Sequence, residues 1–135
     1  MIEHKIQKAL AARIGTLSTG WTVMHDHSST AKAMPRILVT TGQIDQKCSA
    51  FTADFEISYH WLPDDTTDDA AHDVAESVRY SLASKAATVA AINATLNALG
   101  IDVFWAAFVG HTQGEDGARG RYIAQTYRLQ FRLGA

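Results

Sequence analysis

The chain has 135 residues, 47% of them hydrophobic and 19% charged, with a formal net charge of −2. That length supplies the interior for one hydrophobic core, the composition excludes wholesale disorder, and the near-neutral charge excludes a nucleic-acid binder that works by bulk charge. Cys48 is the one cysteine, which excludes an intrachain disulfide and fits a reducing cytosol.

Charges at Glu3, Lys5, Lys8 and Arg13 interrupt the region where a secretory leader would need an apolar run. No stretch of about 18 apolar residues offers a membrane-spanning helix. The expectation is a soluble, intracellular protein with no membrane partner.

Ile2, Ile6, Leu10 and Ile14 recur every four residues, which predicts a helix buried along one side and ended near Gly15. Trp21 to His25 predicts a short strand. His25 to Pro35 is polar, rich in Ser, Thr and Ala, and aperiodic, as a long loop would be. Arg36 to Thr41 is a β-branched run that predicts a second strand, and Gly42 to Ala50 is expected to turn the chain.

Residues 51–62 then alternate almost without a break. Phe51, Ala53, Phe55, Ile57, Tyr59 and Trp61 share one parity, against Thr52, Asp54, Glu56, Ser58 and His60. A period of two puts one set on a packed face and the other on a wet one. At about 3.3 Å per residue, the strand would span roughly 40 Å.

Pro63 ends this strand, and Asp64, Asp65, Asp68 and Asp69 crowd an expected helix start, where free N–H groups favour anions. Ala71, Val74, Ala75, Val78 and Leu82 mark the buried side of that helix. After a break at 84–87, Val89, Ile92, Leu96 and Leu99 continue a helical stripe, stopped by Gly100. Ile101 to Val109 is apolar at both parities, which predicts a fourth strand covered on both sides. Gly110 to Gly120 is expected to be a long flexible connection, and Arg121 to Leu133 alternates again as the last strand. The order α-β-β-β-α-(α)-β-β gives one α+β domain over residues 1–135, a mostly antiparallel sheet of about five strands with helices packed on one face.

Chemistry-bearing residues are few. His25 and His27 lie two apart and could share one side of a strand as zinc ligands, yet no third ligand accompanies them at metal-site spacing. His60, beside Glu56 and Asp54, could serve as a general base, although an exposed cross-strand polar residue explains it more simply. The Asp cluster fits no EF-hand spacing, and helix capping accounts for it. Gly110, Gly114, Gly117 and Gly120 open no helix and precede no Gly-Lys-Ser/Thr, so they form no phosphate loop. Cys48 has no neighbour in sequence that would lower its pKa. No catalytic residue, metal ligand or cofactor is therefore expected.

The charges are unevenly spread. Residues 64–76 hold six acids and no Lys or Arg, and residues 117–135 hold four arginines and no acid. Each cluster alone is a solvated face. Together they permit a head-to-tail contact between copies, with Asp64, Asp65, Asp68 and Asp69 of one subunit facing Arg128 and Arg132 of the next.

An N-terminal helix, two strands separated by a long loop, a long alternating third strand ending at Pro63, an acidic-started helix and a C-terminal strand pair resemble the tail terminator family of long-tailed bacteriophages. This family of minor tail or tail-completion proteins includes the lambda tail terminator. The resemblance runs from Ile2 to Leu133 and rests on element order rather than on a short motif. It implies a hexameric ring at the head-proximal end of the tail tube, which ends tube polymerisation and offers a head-joining surface while DNA passes through its lumen. The implied partners are further copies of the chain, the tail tube protein, a head-completion or neck protein, and DNA in transient non-specific contact. Location would be the virion, after assembly in the host cytoplasm. Lys32, Arg36, Arg119 and Arg121 would be candidates to face lumen or tube, where basic side chains attract phosphate without reading sequence. Two alternatives stand beside this reading: a neck or head–tail connector protein of the same particle, and a small α+β enzyme or metal- or ligand-binding domain.

Overall fold

The computed structural model describes residues 2–17, 19–25, 35–47, 50–83, 85–116 and 120–134. Its elements are α1 (Ile2–Gly15), β1 (Thr22–His25), β2 (Arg36–Lys47), β3 (Ala50–Trp61), α2 (Asp68–Ala83), α3 (Lys85–Leu96), a 3₁₀ turn (Asn97–Leu99), β4 (Ile101–Asp116) and β5 (Gly120–Leu133). One five-stranded sheet runs in the order β1-β2-β3-β5-β4. It is antiparallel except at its edge, where β1 pairs parallel to β2. The expected α+β class holds, with a mixed sheet.

Alternation in β3 does what a period of two requires. Ala53, Phe55, Ile57, Tyr59 and Trp61 are buried, and with Ile123, Tyr127, Leu129 and Phe131 of β5 they floor the core. Ile6, Leu10 and Ile14 of α1, Ala71, Ala75, Val78 and Leu82 of α2, and Ile92 and Leu96 of α3 close over the same face. Val74 and Val89 of the expected stripes pack at its margin, half-buried. Leu99 lies beyond α3 in the 3₁₀ turn and is 48% exposed. Gly100 has φ 79° and its N–H donates to the Asn97 carbonyl at 3.1 Å, so the expected glycine stop is present.

The start of α2 differs from expectation. Pro63 opens a turn in which the N–H groups of Asp65 and Thr66 donate to the Leu62 carbonyl at 3.0 and 2.9 Å. Thr67 is the cap, its hydroxyl accepting from the Ala70 N–H at 3.2 Å. Asp68 and Asp69 therefore stand in the first helical turn, whereas Asp64 and Asp65 precede it.

Two expected loops are largely strand. β2 runs on to Lys47 through a bulge between Thr41 and Ile44, so Gly42 belongs to an irregular strand and not to a turn. A Cβ at Gly42 would come within 3.2 Å of the Asp54 carbonyl oxygen, a close approach that favours glycine. β4 continues to Asp116 and β5 begins at Gly120, so Gly110 and Gly114 lie inside a hairpin arm. The β2–β3 and β4–β5 hairpins reach opposite ends of the sheet, as the pairing of Ala50 with Arg132 and of Trp61 with Arg121 requires.

The doubly apolar β4 is not a strand covered on both sides. It is an edge strand with two bulges, between Val103 and Trp105 and between Phe108 and Gly110. Each bulge reverses the parity. Ile101 and Val103 face the core, then Ala106 and Phe108, while the inserted residues Phe104 and Val109 remain 39% and 49% exposed. α3 shields the beginning of this edge, since the Asn93 side chain accepts from the Val103 N–H at 2.9 Å and donates to its carbonyl at 2.7 Å.

Phe55 is fully buried and Phe104 is not. Phe55→Ala is expected to cost about 3–5 kcal/mol and Phe104→Ala less than about 1 kcal/mol, read by urea unfolding. Equal costs would contradict the bulged assignment of β4.

Candidate functional site

The sheet face away from the helices carries the polar parity of β3. Its register aligns Arg36, His60 and Tyr122, then Leu38, Ser58 and Ala124, then Thr40, Glu56 and Thr126. The middle row is drier than the alternation predicts, with Leu38, Ser58 and Ala124 all buried. The His60 and Tyr122 rings stack at 6.1 Å beside this row, and His60 Nε2 lies 2.9 Å from Ser58 Oγ. The small side chains of Ser58 and Ala124 lose water beside these rings even on an outward face.

The arginines of β5 have partners within the chain. Arg128 donates to both carboxylate oxygens of Asp54, at 2.8 and 3.1 Å. Its guanidinium pKa is pushed further up by that hydrogen bond and by the Asp54 charge. Arg132 lies 3.5 Å from Asp102 and over the Phe104 ring at 4.9 Å. Arg121 bonds Asp68, whose other oxygen accepts from the Trp61 indole N–H at 3.0 Å. Such exposed pairs contribute little energy each, but they fix side-chain direction.

Of the candidate interface residues, the structure thus joins Asp68 to Arg121 in one molecule. Asp64, Asp65 and Asp69 lie near that contact in the turn and first helical residues, with Asp65 and Asp64 before the cap and Asp69 after it. Arg132 is at the other end of β5 and Arg128 is on the outer face. Of the candidate lumen residues, Arg36 and Arg121 share one end of the sheet, on opposite faces. Lys32 and Arg119 lie outside the described residues, as do His27 and Cys48. His25 packs against the His4 ring of α1 at 5.0 Å. Among the described residues, no three His, Cys, Asp or Glu side chains gather as a metal ion would need.

Three buried polar groups escape a reading of the sequence. Gln7 of α1 donates to the Thr41 hydroxyl. Thr88 donates to the Leu82 carbonyl at 3.0 Å, closing the C-terminal end of α2. Gln125 is the hub of the core's polar network: its Oε1 accepts from Tyr59 OH at 2.7 Å and Tyr127 OH at 3.1 Å, and its Nε2 donates to the Ala75 carbonyl at 3.0 Å. Alternation is the one signal for it, since Gln125 occupies an inward position of β5. Burial pushes the phenol pKa values of Tyr59 and Tyr127 up, as the ionised form would lose its water.

Above Gln125 a cleft of about 240 Å³ opens between α2 and the β4–β5 arm. His72, Glu76 and Arg79 come from α2, at one-turn spacing along the helix. Phe108, His111 and Gln113 come from β4. The bulge at Val109 is what turns His111 and Gln113 to the same side as Phe108. The Arg79 guanidinium lies 4.1 Å over the Phe108 ring.

The buried tyrosines set a pH limit. Both folded-state pKa values lie above the ordinary value of 10.0, so their stabilising contribution is complete below pH 10 and is lost as pH rises toward the folded values. Stability should fall above pH 10 by up to roughly 3 kcal/mol per pH unit, and Tyr59→Phe should about halve that slope. A flat profile in denaturant titrations from about pH 9 to about pH 11.5 would contradict the network.

No protein-family model matches this sequence. No curated protein matches it either. Among solved structures, the chain is similar to a chain of the virion of a native gene transfer agent particle, with a TM-score of 0.45, 16% identity, and coverage of 91% of this chain and 84% of that one.

Proposed function

We propose that this chain is a structural protein of a phage-like particle that assembles as a ring at the head-proximal end of a tail tube, ends tube growth and presents the surface for head joining. The observation that carries this reading is one of architecture. The element order resembles that of the tail terminator family, and the two hairpins of the sheet are directed to its opposite ends. The β4 arm buries little against its own helices: His111 to Glu115 are all exposed. Arms of this kind suit contacts along the axis of an assembly, with tube on one side and head on the other.

In this reading the ring contact brings Asp64, Asp65 and Asp69 toward basic residues of the next copy. Asp68, Arg128 and Arg132 join only if their intrachain pairs rearrange. Arg36 and Arg121 line the end of the subunit nearest the DNA. The partners are then further copies of the chain, the tube protein, the neck protein and transiently passing DNA. The chain performs no catalysis and takes no cofactor in this role.

Deleting the gene in a particle-producing strain and imaging the particles tests the proposal. Overlong, headless tubes are expected. Tubes of normal length that fail to join heads would assign the chain to the neck instead, and normal particles would overturn a role in assembly altogether.

A further inference from the structure

The assembly role gives no part to His72, Glu76 and Arg79, the α2 wall of the cleft beside the β4–β5 arm, and the chemistry of that cleft is specific. Arg121, Arg128 and Arg132 are each paired with a carboxylate, whereas Arg79 has none among the described residues. Its guanidinium is held against the face of Phe108, which itself stacks with His111 at 6.5 Å and meets Tyr127 edge-on at 5.6 Å. A guanidinium that rests on a ring face can still present its N–H fork to a planar carboxylate and bind it bidentately.

Glu76 stands one turn earlier on the same wall, and it too has no ion-pair partner among the described residues. His72 is oriented by the Trp61 ring at 6.4 Å, and Gln113 completes the rim. The lining therefore offers a cation, an anion and further donor–acceptor groups around one small volume. A polyanion is disfavoured by Glu76. A metal ion lacks ligands, since no suitable trio of side chains gathers among the described residues. A ligand that satisfies both signs carries both itself: a carboxylate next to an N–H donor.

We propose that this cleft binds a carboxylate bearing an adjacent N–H donor, the chemistry shared by a free amino acid and a peptide C-terminus. Arg79 takes the carboxylate through its fork, His72 and His111 flank it, and Glu76 with Gln113 accepts from the neighbouring N–H. Gln125 at the floor is committed to Tyr59, Tyr127 and Ala75 and keeps the base of the cleft fixed. The site does not depend on the ring proposal, and it can be present whether or not that proposal holds.

The test is a heteronuclear NMR titration of the full chain with glycine, with N-acetylglycine, and with N-acetylglycinamide as the control that lacks a carboxylate. Saturable shifts are expected at the His72 and His111 rings and at the Arg79 Nε–H for one or both carboxylates, and none for the amide. Arg79→Gln, at an exposed position whose substitution spares the core, should weaken binding at least about tenfold. A preference for glycine that Glu76→Gln abolishes identifies a free amino acid, with the ammonium on Glu76. A preference for N-acetylglycine identifies a peptide C-terminus. The absence of saturable shifts with either carboxylate at tens of millimolar, or shifts that Arg79→Gln leaves unchanged, would overturn the proposal.

Discussion

The pairing of β3 with β5 runs from Ala50–Arg132 to Trp61–Arg121 without a register shift, and the placement of every other element depends on it. Because side chains alternate strictly along a strand, one uninterrupted register decides at a stroke which residues of both strands meet the helices. Slipping it by one residue would turn either Phe55, Ile57 and Tyr59 or Leu129 and Phe131 outward. The same register puts Tyr59 and Tyr127 where both can reach Gln125, so the core's polar hub follows from its apolar pattern. It also sets Trp61 and Arg121 side by side, where Asp68 at the start of α2 receives both.

Irregularity is confined to the strands that flank this pair. β2 carries one bulge and β4 carries two, and each re-aims the residues beyond it. In β4 the consequence is chemical. The first bulge brings Ala106 and Phe108 under the helices, and the second brings His111 and Gln113 beside Arg79. The inserted residues, Phe104 and Val109, are left outside as exposed apolar side chains on an edge strand. A regular centre thus holds a rigid frame, and bulged margins carry the surfaces that other molecules can meet.

Much of this architecture is legible in the amino-acid sequence. The helix stripes of Ile6, Leu10 and Ile14 and of Ala71, Ala75, Val78 and Leu82, the alternation of β3 and β5, and the stop at Gly100 all follow from periodicity and backbone chemistry. The misread segments have two causes. A bulge adds one residue and reverses parity, so β4 shows apolar residues at both parities and resembles a strand buried on two sides. Glycine and polar residues between 110 and 116 resemble a loop because an arm without a covering layer needs no apolar alternation. The intrachain pairs Arg128–Asp54 and Arg132–Asp102 join residues far apart in sequence, so charge clusters along the chain could not reveal them. The cleft around Arg79 is hidden for the same reason, since its walls come from α2 and β4 and only the fold brings them together.

Amide hydrogen exchange on the isolated chain measures the central dependence directly. If β3 and β5 are the frame, amides from Ala53 to Tyr59 and from Ile123 to Leu129 exchange only through global unfolding, while those of the exposed arm from His111 to Glu115 exchange faster by local opening. Exchange at one common rate throughout the sheet, or stronger protection in the β4 arm than in β3, would contradict the account.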